Sequence, residues 1–312
     1  MAEDYPRTIL ELERRFAAEE ACREYLFQLR WPEGFVCPRC QGRSFWPASR
    51  GRLVCQACRH QTSVTAGTIF QDTRTPLAMW FRAVWCVTSQ KNGTSAANIQ
   101  RVLGLRSYQT AWTWLHKLRR AMVRPGRDQL HGRIEVDETF VQGEDTQGLW
   151  VSQKAVVVIA AEEDGPGIGR IRLARIPSPT KDVLHDFARM AVEPGSFIHT
   201  DGSTAWRGLT KLGYRHKPTV LLGRKDKNAP SRLLPRVHRV ASLLKRWLLG
   251  THQGAVERAH LDYYLDEFTF RFNRRTSRSR GKLFYRLLQQ AVEIPPTTYR
   301  QIIGGRTSEE NE

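Results

Sequence analysis

Two Cys-x-x-Cys pairs, Cys37/Cys40 and Cys55/Cys58, separated by fourteen residues, constrain this chain more than any other feature. Each pair puts two thiolates on one tight knuckle, and a hairpin between them brings the second knuckle against the first. Four sulfurs at about 2.3 Å from the ion make a closed tetrahedral Zn²⁺ site with no open position for chemistry. A redox role for either pair is disfavoured by the presence of two pairs at ribbon spacing. Disulfides are disfavoured too, because Cys22 and Cys86 lie in apolar, helical-looking segments and read as buried thiols. His60 is a rival ligand by type, but it falls outside the repeated knuckle. The zinc site is therefore an anchor for a small module, and any chemistry lies elsewhere.

The chain has 312 residues with 49 Lys+Arg against 31 Asp+Glu, a formal net charge of +18. At that length two or three structural units are expected, and a balance this basic points to a polyanionic partner, nucleic acid by default. A membrane surface would require a basic amphipathic helix or an apolar anchor, and the sequence offers neither. Its longest purely apolar run, Ala155–Ala161, has seven residues, too few to span a bilayer. The acidic start MAEDYPRTIL lacks the apolar core of a signal peptide. With reduced cysteines, this predicts an intracellular, cytoplasmic protein associated with nucleic acid and not with membrane.

Apolar residues at helical spacing (Leu10, Phe16, Cys22, Leu26, Leu29) predict a helix within residues 1–30, leading into a zinc ribbon over 31–70. Residues 71–125 read as helical. Pro76 suits a first helical turn, and the run from Thr94 to Arg120 has the form helix, Gly104-Leu105 turn, Ser107-capped helix, a helix-turn-helix pattern. Its second helix would offer Tyr108, Gln109, Thr113, Lys117 and Arg120 to DNA. An ordinary helical hairpin burying Trp112 and Leu115 is the plainer reading.

The boundary falls at Arg124-Pro-Gly-Arg127. Beyond it, strands are expected at Arg133–Val141, Lys154–Glu162, Gly169–Ile176, Gly195–Thr200 and Pro218–Leu222. Helices are expected at Thr180–Val192, Ser203–Leu212, Arg236–Leu249 and Arg258–Phe272. Three consecutive strands form an antiparallel meander, and the fourth can lie beside the first. The tail over 296–312 is polar and expected to fray.

Asp137 lies midway along the first of these strands, in Ile134-Glu-Val-Asp-Glu-Thr139. Period-two alternation puts Glu135, Asp137 and Thr139 on one face, so Asp137 and Glu138 are expected to point to opposite sides. Asp201 ends the fourth strand just before Gly202. If strands one and four are neighbours, the two aspartates share a divalent cation, the arrangement that phosphodiester chemistry uses. The plainer alternative has Asp201 capping the next turn and Asp137 paired with an arginine.

The residues also resemble a known family. Leu29-Arg-Trp-Pro-Glu-Gly-Phe-Val-Cys-Pro-Arg-Cys40, Thr65-Ala-Gly-Thr-Ile-Phe70, Val136-Asp-Glu-Thr139, His199-Thr-Asp-Gly202, Leu244–Thr251 and Tyr264–Arg275 are similar to segments of bacterial DDE-type insertion-sequence transposases with an N-terminal zinc ribbon. The resemblance covers roughly residues 10 to 295. It implies a multidomain α+β protein: zinc ribbon, helix-turn-helix segment, and an RNase H-like mixed α/β catalytic core over 130–295. It carries Asp137 and Asp201 onto the first two catalytic positions. The third, usually Glu and followed seven residues later by Lys or Arg, falls on His238 with Lys245. Seven residues are nearly two helical turns, so these two share a face. Glu257, Asp262 and Glu267 on the next helix are rivals for the third position. A nitrogen ligand in place of a carboxylate removes one negative charge and favours Mn²⁺ over Mg²⁺.

Between Phe268 and Arg286 there is no acidic residue. Arg274, Arg275, Arg278 and Arg280, with Arg246 beside Lys245, are expected to grip the DNA backbone. Phe268, Phe270 and Phe272 read as core, while Trp206 or Trp247 could lie against a flipped base. Taken with the resemblance, these features describe a nucleoid-associated transposase that binds terminal inverted repeats and target DNA, as a homodimer or higher oligomer on DNA. It would use structural Zn²⁺ and catalytic Mg²⁺ or Mn²⁺. The alternatives are a catalytically inactive, transposase-derived DNA-binding regulator and a zinc-ribbon nuclease.

Overall fold

Two structural units divide the chain in the computed structural model, which describes residues 3–124, 126–141, 154–219 and 233–304. One is built from Met1–Arg124 with Thr276–Ile303, and the other from Pro125–Arg275.

The first unit begins with α1 (Ile9–Arg15) and α2 (Glu19–Arg30) in place of the single helix expected within 1–30. The break comes at Phe16. Its ring packs against Tyr25 and Phe81 at centroid distances of 5.0 and 4.8 Å, so burial of one aromatic outweighs continuation of the helix. Next come three short antiparallel strands, β1 (Phe45–Ala48), β2 (Arg52–Cys55) and β3 (Gln61–Ser63), which carry the cysteine knuckles. Helix α3 (Leu77–Ser89) is apolar on nearly all sides and is followed by α4 (Ala96–Leu103) and α5 (Tyr108–Ala121). The Ser107 hydroxyl accepts the Gln109 N–H at 3.1 Å, capping α5 as expected, and the Ser95 hydroxyl caps α4 by accepting the Asn98 N–H at 3.2 Å. Gly104 closes α4 at φ 63°, with the Leu105 N–H bonded to the Gln100 carbonyl at 2.9 Å. The buried tryptophan of α5 is Trp114, stacked on Trp80 at 4.0 Å, whereas Trp112 is only half-buried.

The second unit is organised by a five-stranded sheet: β4 (Arg133–Val141), β5 (Ala155–Asp164), β6 (Gly167–Ile176), β7 (Phe197–Asp201) and β8 (Arg215–Thr219). The strand order is β6-β5-β4-β7-β8. The β4–β5 and β5–β6 pairs are antiparallel, and β4–β7 and β7–β8 are parallel. The run Ala155–Ala161 now has its explanation, since β5 is covered on both faces. Val156, Val158 and Ala160 join Ile134, Val136 and Ile198 under α6 (Lys181–Ala191). Ala155, Val157, Ile159 and Ala161 lie under α7 (Pro235–His252) and α8 (Leu261–Phe272).

Several boundaries differ from expectation. The helix expected over Ser203–Leu212 is two 3₁₀ turns, Thr204–Trp206 and Leu209–Leu212, because Gly208 between them sits at φ 96°. The strand expected at Pro218–Leu222 runs over Arg215–Thr219, paired in register with β7, and its expected end lies outside the described residues. A 3₁₀ turn, Arg258–His260, precedes α8 where one helix was expected. Trp206 is fully buried in the core under α6, and Trp247 is buried against Tyr264 and Phe268, so neither is poised for a flipped base.

The core expected to end at 295 ends instead at Arg275, and the chain returns to the first unit. There α9 (Arg280–Ala291) buries Leu283, Phe284, Leu287 and Leu288, with Phe284 against Phe16, Phe81 and Trp85. An apolar stripe of this kind goes where matching aromatics wait, whatever the sequence distance. A short α10 (Tyr299–Ile303) follows, and the rest of the expected tail, residues 305–312, lies outside the described residues.

The N-terminal segment is strapped to α9. Glu3 pairs with Lys282 at 2.9 Å and also with Arg286, and the Pro6 carbonyl lies where a side chain at Gly281 would stand. Gly281→Ala is therefore expected to displace the strap and destabilise the protein by about 1–3 kcal/mol. Urea unfolding of the full chain would measure this. A chain lacking residues 1–6 should show no such penalty for the same substitution.

Candidate active site and metal centres

The zinc ribbon is assembled from two equivalent knuckles. The Gln41 and Arg59 N–H groups return to the Cys37 and Cys55 carbonyls, each at 3.0 Å, and both residues adopt left-handed backbone conformation (φ 63° and 62°). The four sulfurs converge, with Cys37–Cys58 at 3.7 Å and Cys40–Cys55 at 3.6 Å. Tetrahedral coordination at about 2.3 Å places sulfurs about 3.8 Å apart, so these donors fit Zn²⁺ closely. Gly42 completes the cradle, since a β-carbon there would press on the Cys55 and Cys40 sulfurs at 3.3 and 3.4 Å. Burial raises the Cys37 thiol, but N–H groups of Cys40 and Arg39 outweigh it and bring it down to about 7, towards the thiolate a metal requires. His60 is not among the converging donors. Cys22 is buried, its thiol pushed up to about 12 mainly by burial, and Cys86 is half-buried.

On the sheet, the expected adjacency of strands one and four holds, as β4 and β7 pair in parallel through Glu135↔His199. Asp137 and Asp201 are thereby brought together. Glu138 joins them, with carboxylate oxygens of all three within 4.8 Å of one another. This corrects the expectation that Asp137 and Glu138 serve opposite sides. The β4–β7 pairing ends at Glu135, so beyond it the strand edge is open to the long Glu138 side chain, which reaches around to the aspartates. Sequence alternation hid this residue, and the only signal for it was the adjacent pair of acids in Val136-Asp-Glu-Thr139.

The plainer roles are filled as well. Asp137 Oδ1 accepts the Glu138 N–H at 2.9 Å, and Asp201 Oδ1 accepts the Ser203 N–H at 3.0 Å. No arginine pair to Asp137 is present among the described residues. Facing Asp137 Oδ2 instead, at 3.5 Å, is Nε2 of His238 on α7. This nitrogen is buried and has no hydrogen-bond partner among the described residues, as a ligand lone pair awaiting a cation would. Burial chiefly lowers the His238 pKa, with Lys245 adding to the effect, so the imidazole stays neutral near pH 7. Lys245 and Arg246 are exposed further along α7. Of the rivals, Asp262 is held by Arg175 at 2.8 Å and Glu257 lies 3.2 Å from His260, while Glu267 is fully buried on α8.

Three carboxylates this close repel one another. Burial, then the Asp201 charge, raises Asp137 to about 6, and burial, then Asp137 and Asp201, raises Glu138 to about 8. The three carboxylates fit a hard divalent cation, while the His238 imidazole faces Asp137 alone and is not among the donors that lie within 4.8 Å of one another.

Among the expected DNA-contacting side chains, Tyr108 and Gln109 are exposed at the start of α5, whereas Thr113, Lys117 and Arg120 are half-buried. Burial lowers the Lys117 pKa. The basic run after α8 divides. Arg274 lies over the Phe270 ring and Arg275 over the Phe272 ring, each at 4.0 Å. Arg275 also donates to the Ile168 and Gly169 carbonyls, so both arginines brace their own surroundings. Arg278 is exposed and Arg280 half-buried at the start of α9.

Two predictions concern the metals. The purified protein should carry one zinc per chain, and Cys55→Ser should abolish it together with the protease resistance of the ribbon, measured by elemental analysis and limited proteolysis. For the second site, raised carboxyl pKa values mean that the folded state binds more protons than the unfolded one. Stability of the protein without Mg²⁺ or Mn²⁺ should thus fall as pH rises from about 4 to about 8. Cation binding expels those protons, so Mn²⁺ affinity should rise over the same window. Thermal denaturation against pH, with and without Mn²⁺, checks both signs, and Glu138→Gln should flatten the upper part.

Comparison with known proteins places transposase domains on both units. Residues 129–273 match the family model of the ISXO2-like transposase domain, and residues 17–61 match the transposase zinc-ribbon domain. An uncharacterised protein in transposable element ISH50 of Halobacterium salinarum is 25% identical over 290 residues, covering 86% of this chain and 95% of that one. Among solved structures, the catalytic core domain of BIV integrase aligns with a TM-score of 0.29 at 16% identity, over 44% of this chain and 82% of that chain. The Mos1 transposase paired-end complex with left transposon end aligns with a TM-score of 0.26 at 12% identity, over 68% and 75%. No helix among the described residues is long and apolar enough to cross a membrane. Carrying both matched domains on one polypeptide, around an RNase H-like sheet, the chain belongs to the insertion-sequence transposases with an N-terminal zinc ribbon.

Proposed function

We propose that this chain is an active DNA transposase that cleaves the 3′ ends of its element and joins them to target DNA. The observation that carries the reading is the convergence of Asp137, Glu138 and Asp201, with the His238 imidazole 3.5 Å from Asp137. Asp137, Asp201 and His238 are the ligands of the catalytic cation. Glu138 restores the negative charge that a histidine in the third position removes. A divalent cation held by these residues would supply Lewis-acid chemistry, activation of the attacking oxygen and stabilisation of the leaving one. The nitrogen ligand favours Mn²⁺.

Lys245, on the His238 face of α7, holds a DNA phosphate beside the reacting bond, and Arg246 grips the flanking backbone. Water attacks first, freeing a 3′-hydroxyl that then displaces the target phosphodiester directly, so no covalent protein intermediate forms. The zinc ribbon and the helix-turn-helix recognise the terminal inverted repeats, the exposed Tyr108 and Gln109 at the head of α5 reaching base edges and Thr113, Lys117 and Arg120 following along that helix. Arg278 and Arg280, with Arg274 and Arg275 in a bracing role, contribute the backbone-facing basic surface. Joining two ends requires two active sites, hence at least a dimer on DNA, acting in the cytoplasm at the nucleoid.

The test is strand transfer with Mg²⁺ or Mn²⁺ on a DNA end flanking this gene. Asp137→Ala, Asp201→Ala and His238→Ala should each reduce joining by more than about 100-fold, while a gel-shift assay shows end binding unchanged. Specific binding by the wild type with no joining under either metal would instead identify a DNA-binding regulator. Cleavage without preference for the element's ends would identify a nuclease.

A further inference from the structure

Helix α7 starts without a local cap. Its N-cap residue, Leu234, has no side chain able to accept the first N–H groups. The acceptor comes from the sheet. Glu135 of β4 is buried, its side chain 1% exposed, and its Oε2 accepts the Arg236 N–H at 2.7 Å and the Val237 N–H at 3.1 Å. Its Oε1 accepts the Arg236 guanidinium at 2.8 Å. That guanidinium goes on to the Gly167 and Gly165 carbonyls at 3.0 and 2.9 Å, and lies 3.4 Å from Glu163, which ties in the β5–β6 turn. Both carboxylate oxygens are thus engaged, by the positive end of the helix dipole and by a full charge.

The two residues that follow on each element are the ones that face each other across the active site. Asp137 is two residues beyond Glu135 on the same face of β4, and His238 is two residues beyond Arg236 on α7. We propose that Glu135, through Arg236 and the first N–H groups of α7, is the positioning residue that sets His238 against Asp137 and so fixes the geometry of the metal site. This rests on the reading of Asp137 and His238 as ligands. A salt bridge serving stability alone could sit anywhere on the face of α7. This one sits next to the single place where helix and strand must agree to within a few tenths of an ångström.

Mn²⁺ affinity of the full-length, zinc-loaded protein, measured by electron paramagnetic resonance of the free ion, tests this without recourse to activity. Glu135→Gln, which keeps the shape but loses the charge, should weaken Mn²⁺ binding by about 10-fold or more. In a His238→Ala background the same substitution should change affinity less than about twofold, because no ligand then remains on α7 to be misplaced. Unchanged affinity in the wild-type background would overturn the proposal. So would an equal loss in both backgrounds, which would mean a direct effect of charge or general loosening. Should Glu135→Gln fail to fold, Arg236→Lys takes its place with the same two outcomes. If Asp137→Ala itself leaves Mn²⁺ affinity intact, the reading of the metal site fails, which is distinguishable from failure of the positioning role.

Discussion

The bond between Glu135 and the start of α7 joins segments 101 residues apart in sequence, and the candidate site depends on it. Strand β4 supplies Asp137 and Glu138, β7 supplies Asp201, and the sheet alone aligns these by parallel pairing. Strand pairing by itself does not orient α7. Its apolar face, with Val237, Val240, Leu244 and Leu248 buried, would hold the helix somewhere over β5, but hydrophobic contact is non-directional and tolerates sliding. A buried carboxylate engaged by two backbone N–H groups and a guanidinium does not tolerate it, because displacement would strand a charge in the interior. Packing thus supplies the affinity of helix for sheet and Glu135 the register, and His238 inherits that register.

The site is organised around repulsion in the same way that the clamp is organised around attraction. A strongly basic chain concentrates three carboxylates at one end of β4 and β7, where burial makes each charge costly. Such an arrangement is unfavourable for folding and favourable for a cation, which relieves both the burial cost and the mutual repulsion. His238 belongs to that logic. Its imidazole is held neutral, so it adds a polar group without adding to the repulsion, and its buried Nε2 has no hydrogen-bond partner among the described residues. At the zinc ribbon the same problem is solved by fourfold convergence of sulfurs on two knuckles whose left-handed residues, Gln41 and Arg59, are tolerated because the turn is closed on both sides.

Much of this was legible in the residues. The cysteine spacing announced the ribbon, the Gly104 turn and the Ser107 cap announced α4 and α5, and alternation around Asp137 located β4 to the residue. The adjacency of Asp137 and Asp201 followed from strand order alone. What was not legible depends on contacts between distant segments. Glu138 reaches the aspartates because β7 stops pairing with β4 at Glu135, and no local pattern records where a neighbouring strand ends. Helix α9 carries an amphipathic stripe that would suit either unit, and only the aromatic partners Phe16, Phe81 and Trp85, far earlier in the sequence, decide its place. Arg274 and Arg275 read as a charge run, yet rings and carbonyls of their own unit engage them.

The chain leaves the first unit after Arg124 and re-enters it at Thr276, so the catalytic unit is an insertion between two parts of one fold, tethered at both ends. The strap from Glu3 to Lys282 and Arg286 closes that first unit across nearly the full length of the sequence. It also makes α9 more than a C-terminal appendix. By burying Phe284 in the aromatic core beside α3, it anchors the returning chain within the first unit.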